Sequence, residues 1–277
     1  MTGTIGWIGA LAILGLFMLP PAVRFLRSHG MTVPNYEGEI IPVGTGAVLI
    51  VLYIALYGML QLKAAWGLSG STVSTISAYF PAFLLVFAAG WTDDMIGERS
   101  VKGIGGHFRS WRQTRTFTTG AVKAAAIGLA ALWIVADGSR TWWEACIGWA
   151  AIAMTANTLN LLDVRPGRAW KGFYAGAMVV AVAEPGWSGN VWLLPAIAGG
   201  LALMPGDLRG RHMLGDGGAN LLGFALGCAI ADSFPLWLQT VYLLFLAAIH
   251  RTAEKESITA WIDKHKWVRW LDRFGRA

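Results

Sequence analysis

Residues 76–97 read ISAYFPAFLLVFAAGWTDDMIG, an apolar run that ends in two adjacent carboxylates, Asp93 and Asp94. An apolar run of about this length suits a helix that enters a lipid bilayer. Carboxylates at the end of such a segment are costly unless they bind something. Paired acids also supply the oxygen ligands that a hard cation such as Mg²⁺ prefers. The stretch therefore predicts a membrane helix with a candidate metal site at its end.

A basic segment follows the acidic pair directly, and its cations suit a bound phosphate group. Its members are Arg99, Lys102, Arg109, Arg112 and Arg115. Acids and cations together indicate a membrane enzyme that handles a phosphorylated substrate at the bilayer surface.

The composition supports a membrane protein, because 55% of the residues are hydrophobic and only 14% are charged. A soluble domain is nearer a quarter charged. Apolar runs recur along the chain and predict an all-α, polytopic transmembrane bundle of about nine spans. The predicted spans are roughly 4–23, 42–62, 76–92, 118–136, 142–160, 172–184, 190–205, 217–231 and 234–250. The two cysteines, Cys146 and Cys228, are expected to be small core residues rather than a disulfide or a metal site.

The distribution of Lys and Arg predicts the orientation in the membrane. With the N-terminus outside, all but three of the 22 basic residues lie on the cytoplasmic side. The exceptions are Lys63 and Arg140 outside and Lys123 within a span. Residues 1–255 are predicted to form one transmembrane domain of a plasma-membrane protein, with its candidate site at the cytoplasmic face. Residues 256–277 suit either an amphipathic helix in the membrane interface or a docked tail.

A second polar motif, Asn157-Thr-Leu-Asn160-Leu-Leu-Asp163, ends the fifth predicted span. Residues three apart in a helix share a face, so these side chains predict one polar ridge. It suits a phosphate, a sugar or metal-bound water, although Asn side chains also link helices within bundles. A third motif places Asp216 between glycines at the start of a later span, with Asp207 nearby. A metal ligand and a helix cap are both open interpretations of Asp216.

Two further features lie near the same predicted face. Pro42-Val-Gly44-Thr45-Gly46 enters the second span, where small residues suit either substrate binding or close helix packing. Lys123 lies about one turn into the fourth span. It suits either a pyrophosphate or a snorkelling position at the surface.

In this order, Asp93-Asp94-Met-Ile-Gly, Asn157-x-x-Asn160-x-x-Asp163 and Gly215-Asp216-Gly-Gly resemble the motifs of the polyprenyl-phosphate N-acetylhexosamine-1-phosphate transferase family. That family includes phospho-N-acetylmuramoyl-pentapeptide translocase and the enzymes that begin teichoic-acid and O-antigen synthesis. The likeness runs from about Arg24 to Arg251, and it is the three acidic motifs together that are specific.

The resemblance implies that a polyprenyl phosphate, such as undecaprenyl phosphate, attacks the β-phosphate of a UDP-sugar and releases UMP. It implies a requirement for Mg²⁺, with Mn²⁺ as an alternative, and suggests a homodimer; no nucleic-acid partner is expected. Asp216 resembles the family's metal ligand, and Asp93 and Asp94 resemble the pair near the metal and the lipid phosphate. The candidate catalytic residues are Asp93, Asp94, Asp163 and Asp216, of which Asp93, Asp94 and Asp216 are the candidate metal ligands. The candidate substrate-binding residues are Lys123, Asn157, Asn160, Gly44, Thr45, Asp207, His250 and Arg251.

The sequence departs from the family pattern in ways that concern the donor. Pro166 replaces an aspartate associated with uracil, and a histidine-rich last loop is reduced to His250-Arg251. These departures leave an inactive paralogue as an alternative. A transporter or lipid-binding protein on the same scaffold would need polar residues through the span centres, which are nearly absent. A CDP-alcohol phosphotransferase would need four spaced aspartates in one segment, and the sequence has no such run.

Overall fold

The computed structural model describes residues 2–67, 71–97, 118–136, 138–184 and 190–276. These ranges contain α1 Thr2–Ser28, α2 Ala47–Ala65, α3 Ser71–Ile96, α4 Thr119–Val135, α5 Trp142–Leu162, α6 Arg168–Ala183, α7 Leu193–Leu208, α8 Gly215–Ser233, α9 Leu236–Lys255, α10 Ile258–Lys264 and α11 Lys266–Arg273. The protein is a helical bundle, as the apolar periodicity predicts.

Four of the described helices are long and apolar enough to cross a membrane: Thr4–Ser28, Ala47–Ala65, Val73–Ile96 and Trp142–Leu162. The helices α4 and α7 are apolar but shorter. The lengths and composition of the four long helices indicate a membrane protein. The count of nine spans and the orientation in the membrane stay predictions.

Helix α8 lies at the centre of the bundle, and nearly all of its residues are buried. It packs against α2, α3, α4, α5, α6 and α7. Glycines make this crowding possible: a side-chain carbon at Gly223 would lie 2.6 Å from the Ala156 Cα of α5. A side-chain carbon at Gly90 of α3 would lie 2.7 Å from the Gly217 Cα. The glycines next to Asp216 therefore belong to a helix, α8, whose backbone lies very close to several neighbouring helices.

A short antiparallel hairpin, β1 Thr32–Pro34 with β2 Ile40–Pro42, departs from the all-α prediction. The Asn35 side chain accepts hydrogen bonds from the backbone N–H groups of Glu37 and Glu39. Gly38 adopts a positive φ of 87° within the same turn. Local turn chemistry thus forms a hairpin in a connection where Gly30, with a positive φ of 70°, and the prolines Pro34 and Pro42 oppose helix formation.

The cysteine prediction holds only in part, since Cys228 is buried in α8 but Cys146 is exposed. The tail, for which the sequence left an interfacial amphipathic helix and a docked segment open, forms two short helices, α10 and α11, that meet at His265. Which of the two interpretations holds stays a prediction. Ile262 is buried, whereas Leu271 and Phe274 are exposed.

Candidate functional site

The candidate site is centred on Lys123, one turn inside α4. Its ammonium nitrogen lies 2.5 Å from Asp93 Oδ2 and also pairs with Asp216 Oδ2. Asp93 belongs to the last turn of α3, so α3 continues past the end predicted for its span. Asp216 belongs to the first turn of α8. Three helix ends therefore bring two carboxylates onto one cationic nitrogen.

Asp94 has a different partner from Asp93. Its Oδ1 accepts a hydrogen bond from the Asp216 N–H (2.8 Å), and its Oδ2 accepts one from the Gly217 N–H (3.0 Å). Adjacent helical residues point about 100° apart, which explains the divergence. The first N–H groups of a helix have no partner within it and carry partial positive charge. Asp94 therefore anchors the start of α8 from the neighbouring helix α3.

Asp163 completes this arrangement at the start of α8. It follows the last residue of α5, is buried, and accepts a hydrogen bond from the Gly215 N–H at 3.0 Å. Burial raises the pKa of Asp163 well above its ordinary value, and the nearby carboxylates of Asp207, Asp216 and Asp94 raise it further. The first N–H groups of α8 are thus bound by carboxylates from α3 and α5. Asp216 is therefore not a helix cap, and its side chain faces Lys123 instead.

The Pro42–Gly46 segment packs directly on the loop before α8. Gly44, with a positive φ of 99°, and Thr45 both donate their backbone N–H groups to the Met213 carbonyl. The Thr45 hydroxyl donates to the same carbonyl at 2.9 Å, and Thr45 is fully buried. A side-chain carbon at Gly46 would lie 2.2 Å from the Gly218 Cα. These contacts favour the packing interpretation of the segment, and substrate binding by Gly44 and Thr45 stays a prediction.

Asp207 lies at the end of α7 and is almost completely buried. Its Oδ2 accepts a hydrogen bond from the Gly167 N–H at 3.0 Å, which fixes the start of α6. The turn between α5 and α6 contains Pro166, whose carbonyl accepts a hydrogen bond from Arg276 Nε at 2.8 Å. The tail therefore contacts the turn in which the sequence departs from the resembled family.

The three side chains of the predicted ridge, Asn157, Asn160 and Asp163, do not share a common set of partners. Asn157 is exposed and its Nδ2 lies 2.8 Å from His250 Nε2, which links α5 to α9. His250 Nδ1 lies 2.9 Å from the Leu246 carbonyl, so this nitrogen carries the proton and Nε2 accepts from Asn157. Among the described residues, the buried Oδ1 of Asn160 has no hydrogen-bond partner. The side chain of Arg251, next to His250, is exposed.

Two polar residues at the ends of the third motif, His212 and Asn220, were given no role from the sequence. Asn220, one turn after Asp216 in α8, is fully buried and donates to the Asp216 carbonyl at 2.7 Å. His212 is buried beside Thr45, and burial lowers its pKa to about 4, so the imidazole is neutral near pH 7. Asn220 could have been noticed from the sequence, because an amide side chain within an apolar helix is unusual. The contact between His212 and Thr45 could not, because it depends on how the loop folds.

The geometry suits a divalent cation in one specific way. Two carboxylates, Asp93 and Asp216, already converge on a single cationic group. Mg²⁺ in phosphate enzymes commonly takes one or two protein carboxylates, with phosphate oxygens and water completing its shell. Within the described ranges, no three His, Cys, Asp or Glu side chains are arranged to hold a metal by themselves. The donor set therefore fits a cation that binds together with a phosphorylated ligand.

The basic residues predicted to hold phosphate, from Arg99 to Arg115, lie outside the described residues. The described residues place Asp93, Asp94, Lys123, Asp163 and Asp216 together around the start of α8. Comparison with protein-family models gives no match, and no curated protein is significantly similar to the chain.

Proposed function

We propose that the protein transfers a sugar 1-phosphate from a UDP-sugar to undecaprenyl phosphate, as a divergent member of the family that its motifs resemble. An oxygen of the lipid phosphate forms a bond to the β-phosphorus of the donor. The bond from that phosphorus to the α-phosphate oxygen breaks, and UMP leaves. The product is a polyprenyl-diphospho-sugar for cell-wall or surface-glycan synthesis, made at the cytoplasmic face of the plasma membrane.

The observation that carries this proposal is the position of Lys123 between Asp93 and Asp216. Phosphoryl transfer requires positioning and charge neutralisation more than covalent catalysis. The Lys123 ammonium can exchange its carboxylate partners for an oxygen of the donor diphosphate, where it neutralises charge on the departing UMP. Apolar helices around the site offer a surface for the prenyl chain, which cannot leave the bilayer.

The chain's carboxylates have distinct roles in this proposal. Asp93 and Asp216 would hold Mg²⁺, which supplies further neutralisation of the phosphate oxygens. Asp94 and Asp163 bind the backbone at the start of α8 and thereby position Asp216. A phosphate monoester has a second pKa of about 6, so most of the lipid phosphate is already ionised at neutral pH. The main role of Asp93 in this proposal is therefore to position Mg²⁺ and Lys123, and removal of a proton from the lipid phosphate is secondary.

The experiment that tests this function measures UMP release. Purified protein receives undecaprenyl phosphate, Mg²⁺ and a panel of UDP-sugars, with and without a chelator. We expect UMP that requires both lipid and metal, from one sugar or a small set of N-acetylhexosamines. The absence of UMP with every donor, from protein that remains folded, would contradict the proposal and favour the inactive paralogue.

A further inference from the structure

The last helix, α11, presents charged groups to the rest of the protein. The buried carboxylate of Asp272 accepts hydrogen bonds from Arg168 Nε at 2.6 Å and from Arg168 Nη2 at 2.9 Å. Arg276 donates to the same carboxylate at 2.6 Å. Lys171 donates to the backbone carbonyls of Leu271 and Asp272. These bonds fix the rotation of α11 about its own axis.

The opposite face of α11 is apolar and exposed. Its members are Trp267 (83% exposed), Trp270 (60%) and Leu271 (59%), and Phe274 (67%) follows directly after the last helical residue. Their spacing of three, four and seven residues from Trp267 places them on one side of a helix. A helix that docks on a soluble domain turns such a face inward. Here the buried ion pair turns it outward, so the face is built to contact something other than this chain's own core.

The surroundings of this face indicate a lipid surface. Arg168 and Lys171 lie in the first turn of α6, and a side-chain carbon at Gly275 would lie 3.8 Å from Leu208 at the end of α7. The helix α11 therefore lies level with the first turn of α6 and the last turn of α7, which overlap two of the predicted spans, and lipid headgroups are expected at the ends of such spans. Exposed Lys266 and Arg273 on α11, the second of which lies 4.0 Å from the Asp263 carboxylate, complement anionic headgroups. Tryptophans are favoured at that depth.

The helix α1, which is long and apolar enough to cross a membrane, also has exposed apolar side chains. Its Phe17 is 72% exposed and its Ile5 is 68% exposed, comparable to the aromatic residues of α11. In α1 these side chains suit the hydrocarbon region. We propose that α11 is an interfacial helix whose aromatic face is seated on anionic lipid headgroups of the membrane. This inference is independent of the proposed catalytic function.

The attachment of α11 has a consequence for the site. Arg168 is five residues from Asp163, and Arg276 binds the Pro166 carbonyl within the intervening turn. A helix seated on the membrane would therefore hold the turn from Asp163 to Gly167 at a constant depth. Contact between α11 and the lipid surface would therefore help to position the turn from Asp163 to Gly167.

The proposal is tested with a fluorophore at Trp270. Cys146→Ser and Cys228→Ala remove the native thiols, and Trp270→Cys carries an environment-sensitive nitrobenzoxadiazole label. The labelled protein is placed, one copy per disc, in nanodiscs of phosphatidylcholine with or without phosphatidylglycerol. We expect emission at shorter wavelength, with quenching by headgroup-proximal nitroxide lipids, and a larger shift with phosphatidylglycerol. A label at Asp263→Cys, an exposed position of α10, serves as the matched control and keeps water-like emission.

Each other outcome overturns the proposal. Water-like emission from position 270 in every lipid shows that the face does not meet the membrane. An equal shift without phosphatidylglycerol overturns the anionic assignment. A shift that appears only with two copies per disc shows that a second chain covers the face. Phe274→Cys repeats the test at another position, in case Trp270→Cys alters the fold.

Discussion

The two ends of α8 each carry an aspartate paired with a cation, but their surroundings differ. At the C-terminal end, Arg140 pairs with Asp232 and also donates to the Ala231 carbonyl, while the Tyr79 hydroxyl donates to Asp232 at 2.7 Å. A cation at a helix C-terminus is favourable because the last carbonyls carry partial negative charge. Glu184 also reaches this end, where it accepts a hydrogen bond from the Ser233 hydroxyl at 2.8 Å. Two carboxylates therefore lie near one cation here, and Arg140 with Asp232 has the character of a structural ion pair.

At the N-terminal end of α8 the excess of acids is larger, with four acids around one lysine. Lys123 faces Asp93 and Asp216, and the carboxylates of Asp94 and Asp163 lie on the adjoining backbone N–H groups. Asp94 and Asp163 stabilise the start of α8, but carboxylates placed so close together repel one another when they are ionised. The contrast teaches that an ion pair alone does not mark a functional site, whereas a local excess of one charge calls for a ligand of the opposite charge.

The sharpest test of this contrast replaces one aspartate at each end. Asp216→Asn should lower lipid-dependent UMP release by about a hundredfold or more, because it removes a proposed ligand of the Mg²⁺ that would neutralise the transferred phosphate. Its melting temperature without Mg²⁺ should stay equal or rise, because a crowded carboxylate is removed and Lys123 keeps Asp93. Asp232→Asn should retain most turnover but melt at lower temperature, because Arg140 loses its partner. Equal turnover losses in the two variants would remove the distinction between the ends.

A second comparison separates the adjacent acids of α3. Asp93→Asn should reduce turnover nearly as much as Asp216→Asn, with little change in melting temperature. Asp94→Asn leaves one acceptor oxygen for the two N–H groups of Asp216 and Gly217. One partly buried donor is then unpaired, at a cost toward the lower end of about 1–3 kcal/mol in the free energy of unfolding. Thermal melting and UMP release on both variants check this; matching profiles would show that Asp94 is not a structural anchor.

The smallest expected effect concerns pH and Asp163. Its raised pKa means that ionisation is harder in the folded state than in the unfolded state. Its contribution to stability is therefore largest below about pH 4 and is lost as pH rises toward the raised value. Asp163→Asn keeps an oxygen for the Gly215 N–H without the charge. Its melting temperature should exceed that of the wild type by a margin that grows from about pH 5 to about pH 8. Asp263→Asn, in the exposed part of α10, is the control, and a constant margin for Asp163→Asn would contradict the assignment.

Much of the candidate site could be predicted because its signals are local. Asp93 and Asp216 flank apolar runs, and Lys123 lies one turn into such a run. Side chains at these positions lie near helix ends however the helices pack. The partners could not be predicted in the same way. Asn157 and Asp163 share a helix-spaced pattern, yet one binds His250 of α9 and the other binds the backbone of α8. Such choices depend on which helix lies opposite, and spacing within one segment does not contain that information.

The sequence by itself determined that the protein is helical and apolar, because composition and periodicity act on each segment separately. It also determined that carboxylates and Lys123 lie near helix ends, since polar groups are excluded from the apolar lengths between them. Tertiary structure alone decided that Asp93 faces Lys123 while Asp94 anchors α8. It also decided that the aromatic face of α11 points outward, because the ion pair between Arg168 and Asp272 joins residues far apart in the chain. Contacts of that kind exist only once the helices have packed.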